Sequence, residues 1–471
     1  MLGLLLSLLA MANLSPVPYI ASLLGTTEPA LKLLISILFT YPMAYMYHKY
    51  VWPHRQMRNL YFIACGFDIA FFNFGMSMIH NLIPALVIHC STMLLGSGMW
   101  NVIITIIFNM TYLVLGYFYT ESENYDITWT MPHCVLTLKL IALSFDLWDG
   151  RKLENNETLS ENCMKTALTK RPGFLELIAF VYFPSCFLIG PLFSFRRYLD
   201  FLNDHYPVQE EKHFSKVAMT RLICGLLYLG AFQIGGNIFT MEYMQSEDFL
   251  QMSIISRNLY CGVWGHFILY KYISCWLLAE ASAIRFGLSY NGDMKSEDKK
   301  TSLWDGCTNI KLWRFESATK FQHYIDSFNC NTNHFAAEYI YKRLKFLGNR
   351  NLSQGLTLLF LALWHGVRSG YYMTFLMEFL IIYFEKEFEY IISSTNIYKR
   401  MWANTYVKYF VYFILKLYTL VFMGWSLVPF DVKVFSKWWE VYANLYFSGF
   451  ILFVPWAFVY KRIVLALKKA M

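Results

Sequence analysis

Apolar runs long enough to span a bilayer follow one another along almost the whole chain, separated by short polar stretches. A helix needs ~20 mainly apolar residues to cross a ~30 Å hydrocarbon layer. Such runs lie near 2–24, 30–47, 59–79, 81–97, 99–119, 174–195, 217–240, 252–283, 352–366, 370–391, 405–428 and 441–460. Some must be broken or fused, so the pattern predicts an all-α integral membrane bundle of about 11 transmembrane helices. The stretch VLTLKLIALSFDLW (135–148) is weaker and reads as re-entrant or interfacial. Polar loops fall at 149–173, at 198–216 and from 289 to 350. No repeat or Gly/Ser linker divides the chain, so residues 1–471 read as one polytopic domain. The opening MLGLLLSLLAMA lacks the positive flank of a signal peptide and reads as the start of the first span.

Composition agrees. Hydrophobic residues make up 56% of the chain and charged residues 15%, against about a quarter in soluble domains. Aromatic residues reach 19%, which suits a bundle core and two interfacial belts. The net charge of +8 fits basic loops facing anionic leaflets, and no basic run suggests nucleic acid as a partner. The ten cysteines form no C-x-x-C pair and read as small core hydrophobes, not as a disulfide framework or metal site. Asn156-Glu157-Thr158 is a glycosylation acceptor only if its loop is lumenal. The closing KKAM, with Lys468 and Lys469, resembles a di-lysine retrieval signal, which implies the endoplasmic reticulum membrane and a cytosolic C-terminus. Two terminal lysines snorkelling to headgroups explain it equally.

One apolar stretch carries a group that apolar surroundings penalise. LALWHGVRSGYY (361–372) places His365 and Arg368 inside a run that is greasy on both sides. An ionisable residue at membrane depth is a functional hypothesis by default. Residues 352–366 make a helix of roughly 22 Å, too short to cross. Gly366 and Gly370 are the expected break or bend points. His365 therefore reads either as a general base or as a hydrogen-bonded structural histidine, beside an interrupted helix in a buried or water-lined place. Upstream, SFNCNTN supplies Asn329, Asn331 and Asn333, uncharged groups able to position a substrate oxygen or to cap a turn. Trp364 and Arg368 are candidate substrate-binding residues. On a continuous helix Arg368 shares the face of His365; it lines a polar chamber or pairs with a carboxylate such as Glu378. Lys342, Arg343, Lys345 and Arg350 form a basic face, either an interfacial anchor or an attractor of a substrate's phosphate groups. Cys330 is a weaker nucleophile candidate with no evident base beside it. Asp146 and Asp149 suggest paired carboxylates or a helix-to-loop boundary.

SFNCNTN followed by YKRLKFLGNRNLSQGLTLLFLALWHGVRSGYY resembles the signature region of the membrane-bound O-acyltransferases, about 304–390. WDGCTNIKLWRFE (304–316) and FPSCFLIGPLFSFRRY (183–198) point to the lysophospholipid acyltransferase 5 type, the lysophosphatidylcholine acyltransferases. The resemblance implies Asn329 and His365 as the catalytic pair. The chain departs from the family at Phe328, where a tryptophan is usual before the asparagine, and at Phe335, where one is usual downstream. It further implies an acyl-CoA co-substrate, a lysophospholipid acceptor taking the acyl chain on a free glycerol hydroxyl, and no cofactor or metal. The partners expected are these two substrates and the lipid bilayer; a homo-oligomer is compatible with the sequence. Two rival readings stand beside this one: another acceptor, such as a protein, sterol or diacylglycerol, or a transporter with a proton-coupling histidine. The transporter reading predicts inverted repeats, which the sequence does not show.

Overall fold

Eight helical segments are long and apolar enough to cross a membrane in the computed structural model, which describes residues 15–120, 127–205, 211–296 and 299–470. They are Glu28–Val51, Arg55–Leu95, Met99–Thr120, Thr130–Glu154, Ser215–Met244, Ile254–Phe286, Thr405–Val432 and Ser448–Lys468. The molecule is a multi-pass, all-α membrane protein. Among the described residues its one departure into strand is a short hairpin, Asp293–Ser296 paired antiparallel with Lys299–Ser302, in the polar loop expected there.

The expected runs resolve unevenly. The first begins in residues 1–14, which lie outside the described residues, and continues as the seven-residue helix Val17–Leu23. Arg55–Leu95 is two helices, Arg55–Phe74 and Ile79–Leu95, separated at Gly75, whose φ of +55° suits a residue without Cβ. The run 174–195 is not a span. It holds the eight-residue helix Phe174–Val181 and then irregular backbone, because Pro184, Gly190 and Pro191 cannot continue a helix. The stretch 135–148 is corrected the other way. It lies inside the 25-residue helix Thr130–Glu154, and 83% of that helix's apolar stretch is buried within the protein. It is a central helix, and its polar residues weaken the apolar signal because they face protein rather than lipid.

The described residues fall into two compact units. The first comprises 1–226, 274–309 and 334–343; the second comprises 227–273, 310–333 and 344–471. In the first, Phe62, Tyr47, Phe183, Tyr198 and Phe286 form a buried aromatic centre, with Phe62 and Phe183 centroids 4.8 Å apart. Helix Arg55–Phe74 reaches the 174–188 segment at Gly66, where a Cβ would sit 1.9 Å from the Tyr182 carbonyl oxygen. In lipid there is little hydrophobic drive between helices, so close van der Waals approach of this kind holds them. The second unit uses the same device. Gly265 and Gly424 let Ile254–Phe286 and Thr405–Val432 cross with backbones nearly touching, a Cβ on Gly265 lying 2.3 Å from the Gly424 Cα. Trp425 stacks on Tyr442 at 4.1 Å, which docks Phe435–Asn444 onto the same helix.

Candidate active site

Helix Arg350–His365 starts where the Asn349 side chain accepts from the Leu352 N–H at 3.0 Å, a normal N-cap. It ends at His365 because Gly366 takes φ +152°, outside the range of an L side chain. Sixteen residues give about 24 Å of helix, which leaves the histidine at an interrupted end. The next helix, Ser369–Ser393, begins four residues later. Gly366 is thus the break expected from the sequence. Gly370 acts as a contact point instead. It lies in the first turn of the second helix, where a Cβ would sit 1.9 Å from the Pro429 carbonyl oxygen. Its N–H donates to the Lys433 carbonyl at 3.0 Å, which ties the helix start to Thr405–Val432.

Four rings hold the His365 imidazole. Trp364 and Phe430 meet it edge-on, at 4.5 and 5.0 Å between centroids. Tyr371 and Phe375 lie nearly parallel to it, at 5.8 and 5.4 Å. The ring is half-buried, and among the described residues no polar group hydrogen-bonds to either nitrogen. Neither nitrogen is sealed away as a buried, unpartnered atom. The cradle therefore fixes the ring by its faces and edges.

Asn329 is built differently. It sits between helices Phe321–Ser327 and Cys330–Phe335 with φ +50°, a left-handed conformation that asparagine tolerates better than most residues. Phe328 beside it bridges to Ile310, and the Asn333 amide donates to the carbonyls of Ile325 and Phe328 at 2.8 and 2.9 Å. Asn333 is therefore occupied in pinning this turn, which is the capping reading of the amide cluster. Two residues that the sequence did not single out lie between Asn329 and His365. Phe328 packs edge-on against Tyr272, Tyr272 against Phe430, and Phe430 against His365, with centroids 6.5, 6.5 and 5.0 Å apart. An aromatic relay inside the second unit thus joins the neighbour of the asparagine to the histidine. Tyr272 and Phe430 come from distant helices, and nothing in their local sequence marks them.

The other candidates divide. Trp364 is buried and forms one wall of the cradle. Arg368 does not share a helix face with His365, because the chain breaks between them; it is the N-cap residue of Ser369–Ser393. Lys342 pairs with Glu338, which also accepts from Asn162 at 2.9 Å. Burial opposes ionisation of Glu338, but the Lys342 and Asn162 hydrogen bonds outweigh it and hold the carboxyl below its usual range. Arg343 grips Asp149 with two N–H groups and lies over the Phe145 ring at 4.8 Å. Lys345 and Arg350 are exposed. The expected basic face is thus part ion-pair network and part open surface. Asp146 accepts from the Tyr339 hydroxyl at 2.8 Å, so Asp146 and Asp149 act as separate anchors for the 336–343 segment, not as a carboxylate pair. The Cys330 thiol donates to the Asp326 carbonyl at 3.4 Å.

The family model for membrane-bound O-acyltransferases matches residues 114–428, more than half of the chain and a stretch that contains both Asn329 and His365. The chain belongs to that family. Curated relatives match almost end to end. It is 42% identical over 456 residues to lysophospholipid acyltransferase 5 of Drosophila melanogaster, covering 94% of this chain and 88% of the relative. It is 41% identical over 443 residues to the Homo sapiens protein of the same name, covering 93% and 90%. The Caenorhabditis elegans protein of that name is 30% identical over 438 residues, covering 92% and 91%. As a membrane-bound O-acyltransferase, the enzyme must remove a proton from a hydroxyl and steady charge on an acyl carbonyl oxygen. An imidazole and an amide are groups with those capacities.

Proposed function

We propose that this enzyme re-acylates lysophospholipids, with acyl-CoA as donor and lysophosphatidylcholine as main acceptor, at the free sn-2 hydroxyl. The observation that carries the proposal is the near full-length similarity to proteins named lysophospholipid acyltransferase 5, at 40–42% identity for the first three. The cradle adds the chemistry. His365 accepts the proton of the glycerol hydroxyl as the oxygen attacks the thioester carbonyl. The Asn329 amide steadies the hydroxyl or the oxyanion. The C–S bond breaks, coenzyme A leaves as thiolate, and the imidazolium returns the proton to it. No metal or cofactor enters, because a thiolate is already a good leaving group. Trp364 fixes the ring that accepts the proton. The proposed residence is the endoplasmic reticulum, with Lys468 and Lys469 as the retrieval pair.

The test follows free thiol from detergent-purified enzyme given lysophosphatidylcholine and arachidonoyl-CoA. Release that requires the lysolipid and falls about 10²–10⁴-fold in His365→Ala, at an unchanged gel-filtration profile, is expected. Release that persists in the variant would move the chemistry elsewhere, with Cys330 next in line. No release across a panel of lysolipids would overturn the acceptor class.

A further inference from the structure

The two motifs that pointed to the branch, FPSCFLIGPLFSFRRY and WDGC, both belong to the first unit and converge on a cavity of about 380 Å³. It lies at the ends of Glu28–Val51 and Ile254–Phe286, where His48 Nε2 meets the Arg285 carbonyl oxygen at 2.8 Å. Its walls carry Arg196 and Arg197 from the first turn of helix Phe195–Leu202. Each is held by neutral acceptors. Arg196 donates to the Ala167 carbonyl at 2.7 Å. Arg197 donates to the Leu288 carbonyl at 3.2 Å and to Asn291 Oδ1 at 2.5 Å. Asn291 in turn donates to Asp305 at 2.8 Å, and a Cβ on Gly306 would lie 2.2 Å from the Arg197 guanidinium. The WDGC element is therefore the seat of Arg197.

Among the described residues these two groups are left without a direct counter-charge. Among the described residues neither guanidinium has a carboxylate within ion-pair distance. Asp204 also lines the cavity but is taken by Arg55 and Arg58, at 3.1 and 2.9 Å. Lys165 is taken by Glu161 at 2.7 Å. Asp200, one turn beyond Arg196, is the remaining anion on the wall. Two guanidinium groups lining one space suit the recognition of a phosphate oxyanion, and neutral partners hold them without cancelling their charge. The volume falls within the range of small-molecule sites.

We infer that this cavity is a binding site for a phosphate ester, clasped by Arg196 and Arg197. The ester comes either from a nucleotide, such as the end of coenzyme A remote from its thioester, or from a phospholipid headgroup. Equilibrium binding to the full-length enzyme in detergent distinguishes them, with adenosine 3′,5′-bisphosphate in one arm and glycerophosphocholine in the other. The readout needs no turnover, so it stands apart from the acyl-transfer reading. Saturable binding of one probe is expected, weakened about ten- to a hundredfold in Arg196→Gln and weakened by added salt. Asp200→Asn is expected to tighten binding, because it removes the opposing charge from the wall. Arg197→Gln risks the fold through Leu288 and Asn291; Arg196→Gln and Asp200→Asn, with opposite signs, do not depend on it. The probe that binds names the source. Failure of both probes to bind, or equal affinity in wild type and the two variants, would overturn the inference.

Discussion

Phe430 meets the imidazole of His365 edge-on, with centroids 5.0 Å apart and planes at 79°. Such contacts give a ring a preferred orientation as well as area. Phe430 comes from the same helix as Pro429, whose carbonyl crowds Gly370. Position of the histidine is thus set by a neighbour fixed to the start of the following helix.

Truncating that neighbour tests whether the orientation matters. On the proposed role of His365 as the base, Phe430→Ala is expected to lower kcat by about ten- to a hundredfold, since small misplacements of a reacting group are costly. KM for the lysolipid should change little. An unchanged kcat in the purified variant would show that the other three rings suffice.

Asn329 combines an amide with a left-handed backbone, and two substitutions separate them. Alanine removes the amide and adds strain of about 1–2 kcal/mol at φ +50°. Glycine removes the amide without the strain. Both are expected to lose about 10²–10³ in turnover, while only alanine lowers thermal stability. A glycine variant with near wild-type turnover would leave the amide without a catalytic role.

The Asp149–Arg343 pair should behave as a buried ion pair, because the Asp149 side chain is fully buried. Arg343→Met strands that carboxylate and is expected to cost about 3–5 kcal/mol. Asp149→Leu combined with Arg343→Met should recover much of the loss, because an apolar pair leaves no stranded charge. Chemical or thermal unfolding of the three proteins in one detergent measures both effects.

Acid should act through Asp204. Burial opposes its ionisation, but hydrogen bonds from Arg58, Trp52 and Arg55 prevail and hold the carboxyl below the ordinary aspartate range. Its contribution is therefore present above the unfolded value of about 4 and is lost as pH falls below it. Asp204→Asn should lower stability at neutral pH and flatten the fall that wild type shows below about pH 4. Parallel melting curves for the two proteins across that range would refute the assignment.

Much of this was legible in the sequence. The alternation of long apolar runs and polar loops carried the membrane bundle, and the placement of His365 before Gly366 carried the break. What stayed hidden depends on distant packing. Tyr272 and Phe430 look like any other aromatic residues in apolar helices; their place beside Phe328 and His365 arises only when helices far apart in sequence cross. Arg343 looks like a surface cation until Asp149 is found to meet it. Arg196 and Arg197 look like ordinary surface charges until Ala167, Leu288 and Asn291 are found to hold them. The run 174–195 passed for a span because hydropathy does not register the geometric cost of two prolines.

The buried helix Thr130–Glu154 bears on how the protein is made. It carries Lys139, Asp146 and Asp149, all nearly or fully buried, and its apolar stretch has a mean hydropathy of 1.2 against 1.8 for Met99–Thr120. Charged residues near a helix centre each penalise entry into lipid by about 2.5–3.5 kcal/mol. On its own this segment would be a poor substrate for membrane integration. Lys139 finds the Phe180 carbonyl at 2.5 Å and Asp149 finds Arg343, and both partners are synthesised later. The ribosome therefore delivers the central helix before the residues that make its place tolerable. The last of those partners, Arg343, follows Asp149 by 194 residues.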